Sequence, residues 1–169
     1  MPRHSDLKRE LYLKLNSVRG LKCITTKWGC GILIFYFDQN PITKNQLTKW
    51  RLWIESAWRL ENDRGIIIGH RDEDKQILKE LRRLHKKTVL TIQYAKKTWD
   101  LTLGFERGIK LRAFVNSVDN EQWELRGSDG YRIGVVGGLR ISQERVETDE
   151  KNLESIKRYN ANKPSSGMT

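Results

Sequence analysis

The residues that could do chemistry are few. Asp119 and Glu121 lie two positions apart in "NSVDNEQWEL", just after Ser117. On an extended segment they share a face, and a carboxylate pair can divide general acid and base work or hold a divalent ion. His70, Arg71 and Asp72 stand together after an apolar run, where a catalytic group could project. Both sets lack converging partners. A metal nuclease needs further acids or a lysine from other segments, and "NSVDNE" is also the composition of a hydrophilic loop. A helix cap with a solvated neighbour explains the histidine cluster equally well.

The other chemistries fail on spacing. Cys23 and Cys30 have no CxxC pairing, and His4, His70 and His85 are scattered, so no zinc site is expected and the cysteines read as buried thiols. No G-x-S-x-G elbow is present. "GVVGG" at 134–138 has no following lysine-serine pair, which leaves it without the cradle that a phosphate loop supplies. The expectation is a non-enzymatic protein with neither cofactor nor metal.

Charge is the stronger signal. Thirty-two Lys and Arg against 21 Asp and Glu give a net charge of +11 in 169 residues. A field of that sign favours nucleic acid, anionic lipid surfaces or an acidic protein partner. Lys75, Lys79, Arg82, Arg83, Lys86 and Lys87 crowd one arc of an expected helix whose apolar positions, Ile77, Leu78, Leu81 and Leu84, point inward. That arc could contact several phosphates. A second candidate surface is the Arg51, Trp53 and Arg59 side of the segment 50–61, since tryptophan and arginine commonly anchor protein interfaces. Asp119 and Glu121 join it as candidate protein-binding residues.

These residues need elements to hold them. Leu7, Leu11, Leu15 and Val18 recur at helical spacing, with Ser5 as a cap and Gly20 as a stop. "CITTKWGCGILIFYFD" reads as two strands bent at 28–31. "KWRLWIESAWRLE" alternates so that Trp50, Leu52, Ile54, Ser56, Trp58 and Leu60 share one side, which predicts a single long strand. "NDRG" turns it back into "IIIGH" as a hairpin. The central amphipathic helix follows, with acids at its start and cations at its end. From 88 to 136, five short strands are separated by polar turns and are expected to pair as an antiparallel meander.

The fold class is therefore α+β: mainly antiparallel sheet, an N-terminal helix and one central helix. Residues 1–147 are expected to form one domain, and 148–169 a partly disordered tail. The longest apolar run, "ILIFYF", is far shorter than the roughly 20 residues that span a bilayer. With no secretory pattern and two cysteines, the expected location is cytoplasmic, without a membrane span.

"WIESAWRLE", "IIIGHRD" and "DLTLGFERGIKLRAFVNSVDNEQWEL" together resemble a group of small bacterial proteins similar to the immunity or accessory partners of bacterial conflict systems. The resemblance covers 21–134 and rests on Trp58, Arg59, Gly69, Asp72, Leu101, Phe105, Gly108, Leu111, Phe114, Ser117, Asp119, Glu121 and Trp123. It implies an antiparallel α+β domain with no catalytic residue. The functional expectation is a protein-binding role in a defence or toxin-immunity setting, with nucleic-acid binding through the basic helix as the alternative. The partner and the oligomeric state are not legible.

Overall fold

The computed structural model describes residues 3–39, 48–117, 120–136 and 140–145. Helix α1 (His4–Asn16) leads into β1 (Lys22–Gly29) and β2 (Ile32–Asp38), then β3 (Trp50–Ile54), β4 (Ala57–Asn62) and β5 (Gly65–Gly69). Helix α2 (Asp74–Leu81) and a 3-10 turn (Arg82–Leu84) precede β6 (Val89–Tyr94), β7 (Leu101–Phe105) and β8 (Lys110–Phe114). Then come β9 (Trp123–Gly127), β10 (Tyr131–Val136) and β11 (Arg140–Arg145). Every strand pair is antiparallel, in a six-stranded sheet ordered β1-β2-β3-β9-β10-β11 and a five-stranded sheet ordered β5-β4-β8-β7-β6. This is the mainly antiparallel α+β class that the patterning predicts.

The alternation of apolar and polar residues makes one face of each sheet greasy, and the two greasy faces share one core. Leu33, Phe35, Phe37, Leu52, Ile54, Trp123, Leu125 and Ile133 come from the larger sheet; Trp58, Leu60, Leu101, Leu103, Phe105 and Leu111 come from the smaller. Phe35 stacks on Phe105 across the sheets, with ring centroids 6.2 Å apart, and Trp28 meets Trp58 edge to face at 5.4 Å. Burying a side chain of this size contributes about 1.5–3 kcal/mol each, set against the entropy of ordering the chain.

The segment 50–61 corrects the expectation of one long strand. Its buried side is as predicted, since Trp50, Leu52, Ile54, Ser56, Trp58 and Leu60 are all buried. The backbone nevertheless changes sheets at Glu55 and Ser56, whose amide N–H groups both donate to the Gln122 carbonyl, at 2.9 and 3.1 Å. β3 therefore pairs with β2 and β9, while β4 pairs with β5 and β8. The meander is corrected in the same way. β6, β7 and β8 follow it, and so do β9 and β10, but β8 does not pair with β9, because the chain crosses to the other sheet between them.

The helices close the sides of this sandwich. Helix α1 packs mainly on β6 and β11, and α2 on β1 and β5. On α1, Leu11 and Leu15 enter the core, Glu10 accepts a 3.1 Å hydrogen bond from the Tyr131 hydroxyl, and Lys14 lies over the rings of Trp50 and Tyr131. The helix starts one residue before Ser5, so Arg3 takes the cap position and its N–H donates to Asp6. On α2, Ile77 and Leu81 are buried, followed by Leu84, but Leu78 is 44% exposed, contrary to the inward placement expected of it. Leu78 sits on the flank of the apolar stripe. The β1–β2 turn explains a second departure: Cys30 has φ +52 and Gly31 φ +76, a geometry that turns the chain outward and leaves Cys30 exposed. Cys23 alone is a buried thiol. The expected tail, 148–169, lies outside the described residues.

Candidate functional site

The described members of the two reactive clusters take part in local hydrogen bonds. Asp119 lies outside the described residues. Glu121 is exposed and hydrogen-bonds Glu55; partial burial first, then the charge and hydrogen bond of Glu121, raise the Glu55 carboxyl above its ordinary value. His70 and Asp72 serve a turn. The His70 amide donates to the Trp58 carbonyl at 3.0 Å, its Nδ1 lies 3.3 Å from the same oxygen, and Asp72 accepts from the Gly69 amide at 2.7 Å. Among the described residues no group of three or more His, Cys, Asp or Glu could hold a metal ion.

The basic helix arc is present but shorter than expected. Lys75, Lys79, Arg82, Arg83 and Lys86 are exposed and Lys87 is half-buried. Regular helix ends at Leu81, so only Lys75 and Lys79 stand on it. Arg83 is turned back onto Glu80 in an ion pair at 2.5 Å, and Lys86 adopts a left-handed backbone at φ +62.

Arg51, Trp53 and Arg59 do not form one patch. The change of sheet at Glu55 and Ser56 sends Arg51 and Trp53 to the outer face of the six-stranded sheet and Arg59 to the outer face of the five-stranded sheet. There Arg59 and its cross-strand neighbour Arg112 both bind Glu61, at 2.9 and 2.5 Å. Burial opposes ionisation of Glu61, but hydrogen bonds from Arg59 and Arg112, with their charges, outweigh it and hold the carboxyl below its usual range.

What the structure gathers around Trp53 is different. Strand register aligns Lys27, Ile34, Trp53, Glu124 and Gly134 in one row across five strands, and Thr25, Tyr36, Arg51, Arg126 and Arg132 in the next. These rows face away from the core. Gly134 fits because a side chain there would collide with the Trp123 carbonyl and the Glu124 backbone. Arg126 stacks on the Trp53 ring, its guanidinium carbon 3.7 Å from the centroid, while donating to Glu124 at 2.6 Å. Lys27 covers Tyr36 at 5.3 Å. Arg132 reaches within 3.9 Å of Glu124. Among the described residues the main helix contacts lie at β1, β5, β6 and β11, not at the central strands β2, β3, β9 and β10.

Sequence reasoning put Arg51 and Trp53 on one outward side but did not bring Ile34, Tyr36, Arg126 and Arg132 beside them. Alternation within "ILIFYFD" does put Tyr36 opposite to Phe35 and Phe37; nothing in the sequence announces that β9 inserts beside β3. Together the elements define a two-sheet antiparallel sandwich with a helix at each side. Comparison with known proteins finds no matching family model, no similar curated protein and no similar solved structure. No helix among the described residues is long and apolar enough to cross a membrane.

Proposed function

We propose that this chain is a non-enzymatic binding protein that recognises the acidic surface of a protein partner through the outer face of its six-stranded sheet. The setting is the defence or toxin-neutralising one that its resemblance implies. One observation carries the reading: Ile34, Tyr36, Arg51, Trp53, Arg126 and Arg132 line adjacent rows of a face whose central strands, among the described residues, take no main helix contact. Aromatic and arginine side chains at the middle of a flat apolar and cationic surface are the usual anchors of a protein interface.

Charge chooses the partner. The two rows hold Lys27, Arg51, Arg126 and Arg132 against Glu124 and, where β11 extends the second row, Glu144, and the whole chain carries +11. Complementarity then calls for carboxylates opposite. Base stacking is disfavoured here, since Lys27 already covers Tyr36 and Arg126 already covers Trp53. A neutralising partner needs only to block a site, so no reactive constellation is required.

The test is affinity capture from nuclease-treated extract of the native cell, with wild type, Arg51→Glu/Arg132→Glu and Lys79→Glu/Arg82→Glu. A stoichiometric acidic protein is expected, weakened by at least about 2 kcal/mol, roughly 30-fold, in the sheet variant and within about threefold of wild type in the helix variant. Retention by the sheet variant refutes the reading. Loss of the partner on nuclease treatment, with dependence on Lys79 and Arg82, transfers the function to nucleic-acid binding through Lys75, Lys79, Arg82, Arg83, Lys86 and Lys87.

A further inference from the structure

A second candidate site, at helix α1, shares no residue with the sheet face. Helix α1 runs beside the turn that joins β6 to β7, and between them is a cavity of about 430 Å³ lined by Lys8, Arg9, Tyr12, Tyr94, Lys96 and Trp99. Its chemistry is one-sided: three cations and three aromatic rings, with no carboxylate in the lining. Among the described residues none of Lys8, Arg9 and Lys96 takes part in an ion pair.

The aromatic wall is rigid. Tyr94 and Trp99 stack at 5.2 Å with their planes 14° apart, and the Lys8 ammonium stands 5.7 Å from the Trp99 centroid. Trp99 has φ +63, a backbone that a bulky residue rarely adopts. It is held by its own N–H, which donates to the Ala95 carbonyl at 2.7 Å, and by the Trp123 indole, which donates to the Trp99 carbonyl at 2.8 Å. Burial first, then the neighbouring Tyr12, raise the Tyr94 phenol above its ordinary value. Tyr12 is 59% exposed and completes the aromatic part of the lining.

Each half of this lining excludes a class of ligand. Aromatic cages take quaternary ammonium groups, but three cations at the rim repel them. A bare inorganic anion would use the cations and leave the rings idle. A planar group joined to a phosphate uses both: the plane lies against tyrosine and the phosphate meets lysine and arginine. We infer that the cavity between α1 and the β6–β7 turn binds the base and phosphate of a nucleotide, either free or as one residue of a single strand.

Calorimetry with AMP and with inorganic phosphate, and fluorescence anisotropy with a labelled oligothymidylate of roughly ten nucleotides, test this. AMP binding in the absence of phosphate binding supports the site with a free nucleotide as its ligand. Binding of the oligonucleotide that AMP displaces supports it with a strand; engagement of all three cations then gives about a 20-fold loss of affinity between 50 and 200 mM salt. Tyr12→Ala is expected to weaken binding roughly 5- to 150-fold, the range for loss of one base stack, and Lys8→Glu/Lys96→Glu at least about tenfold. These residues lie at the surface, and circular dichroism confirms that the variants fold. The inference is overturned if phosphate binds as tightly as AMP, if Tyr12→Ala binds like wild type, or if no probe binds at millimolar concentration. Arg51→Glu/Arg132→Glu is expected to bind nucleotide normally, which separates this outcome from that of the sheet face.

Discussion

Replacing Trp123 with phenylalanine tests how the interior supports the surface. Trp123 is 1% exposed, sits in β9 between β3 and β10, and spends its indole N–H on the carbonyl of Trp99. Phenylalanine keeps the apolar body and removes the donor. The buried Trp99 carbonyl then loses this partner, which costs about 1–3 kcal/mol. Deleting part of the ring system leaves a void of ~40 Å³, worth ~1 kcal/mol at the usual cavity cost. The expected loss is about 2–4 kcal/mol, a large fraction of the ~5–15 kcal/mol that holds an ordinary domain together. Urea unfolding followed by far-ultraviolet circular dichroism measures it, with the m-value unchanged and the midpoint lowered. A loss below ~0.5 kcal/mol would show that the hydrogen bond and the packing seen around Trp123 do not bear on stability, and that the left-handed Trp99 is held by something else.

Two further outcomes follow from the titratable groups. Glu61 ionises more readily in the folded chain than in the unfolded one, so its contribution is present above the ordinary glutamate value of about 4.3 and is lost as pH falls through the lower folded value. Glu61→Gln is therefore expected to be less stable at neutral pH and to show a flatter stability curve below about pH 4.5; parallel curves for the two proteins would contradict the Arg59 and Arg112 bonds. The thiols should separate cleanly: burial pushes Cys23 up to about 12, while Cys30 is exposed. With an aromatic disulfide reagent at about pH 8, a native chain is expected to react at one thiol and to release the second only in denaturant. Equal rates would refute the burial of Cys23.

Side-chain alternation was legible because it depends only on neighbours two positions away. It predicted the buried side of 50–61 residue by residue, yet the same regularity hid the break at Glu55 and Ser56. A strand that changes sheets without changing its inward side keeps its period, and the signal for the crossing is a carbonyl at Gln122, far along the chain. Arg59 was misplaced for that reason alone. Leu78 was misread because helical spacing allots a stripe of apolar positions but not its width. The cavity beside α1 was not legible at all, since Lys8 and Tyr12 belong to one end of the sequence and Tyr94 to Trp99 to another.

The order of the strands also carries a temporal consequence. All five strands of the smaller sheet lie between β3 and β9, so that sheet is a continuous insert within the larger one. Docking β9 beside β3 closes a loop containing the entire insert, and long loops are entropically costly until something shortens them. During synthesis, β1, β2 and β3 emerge early but must wait for Trp123 to leave the ribosome before their sheet can be completed, and compaction of the insert is what brings the two ends within reach.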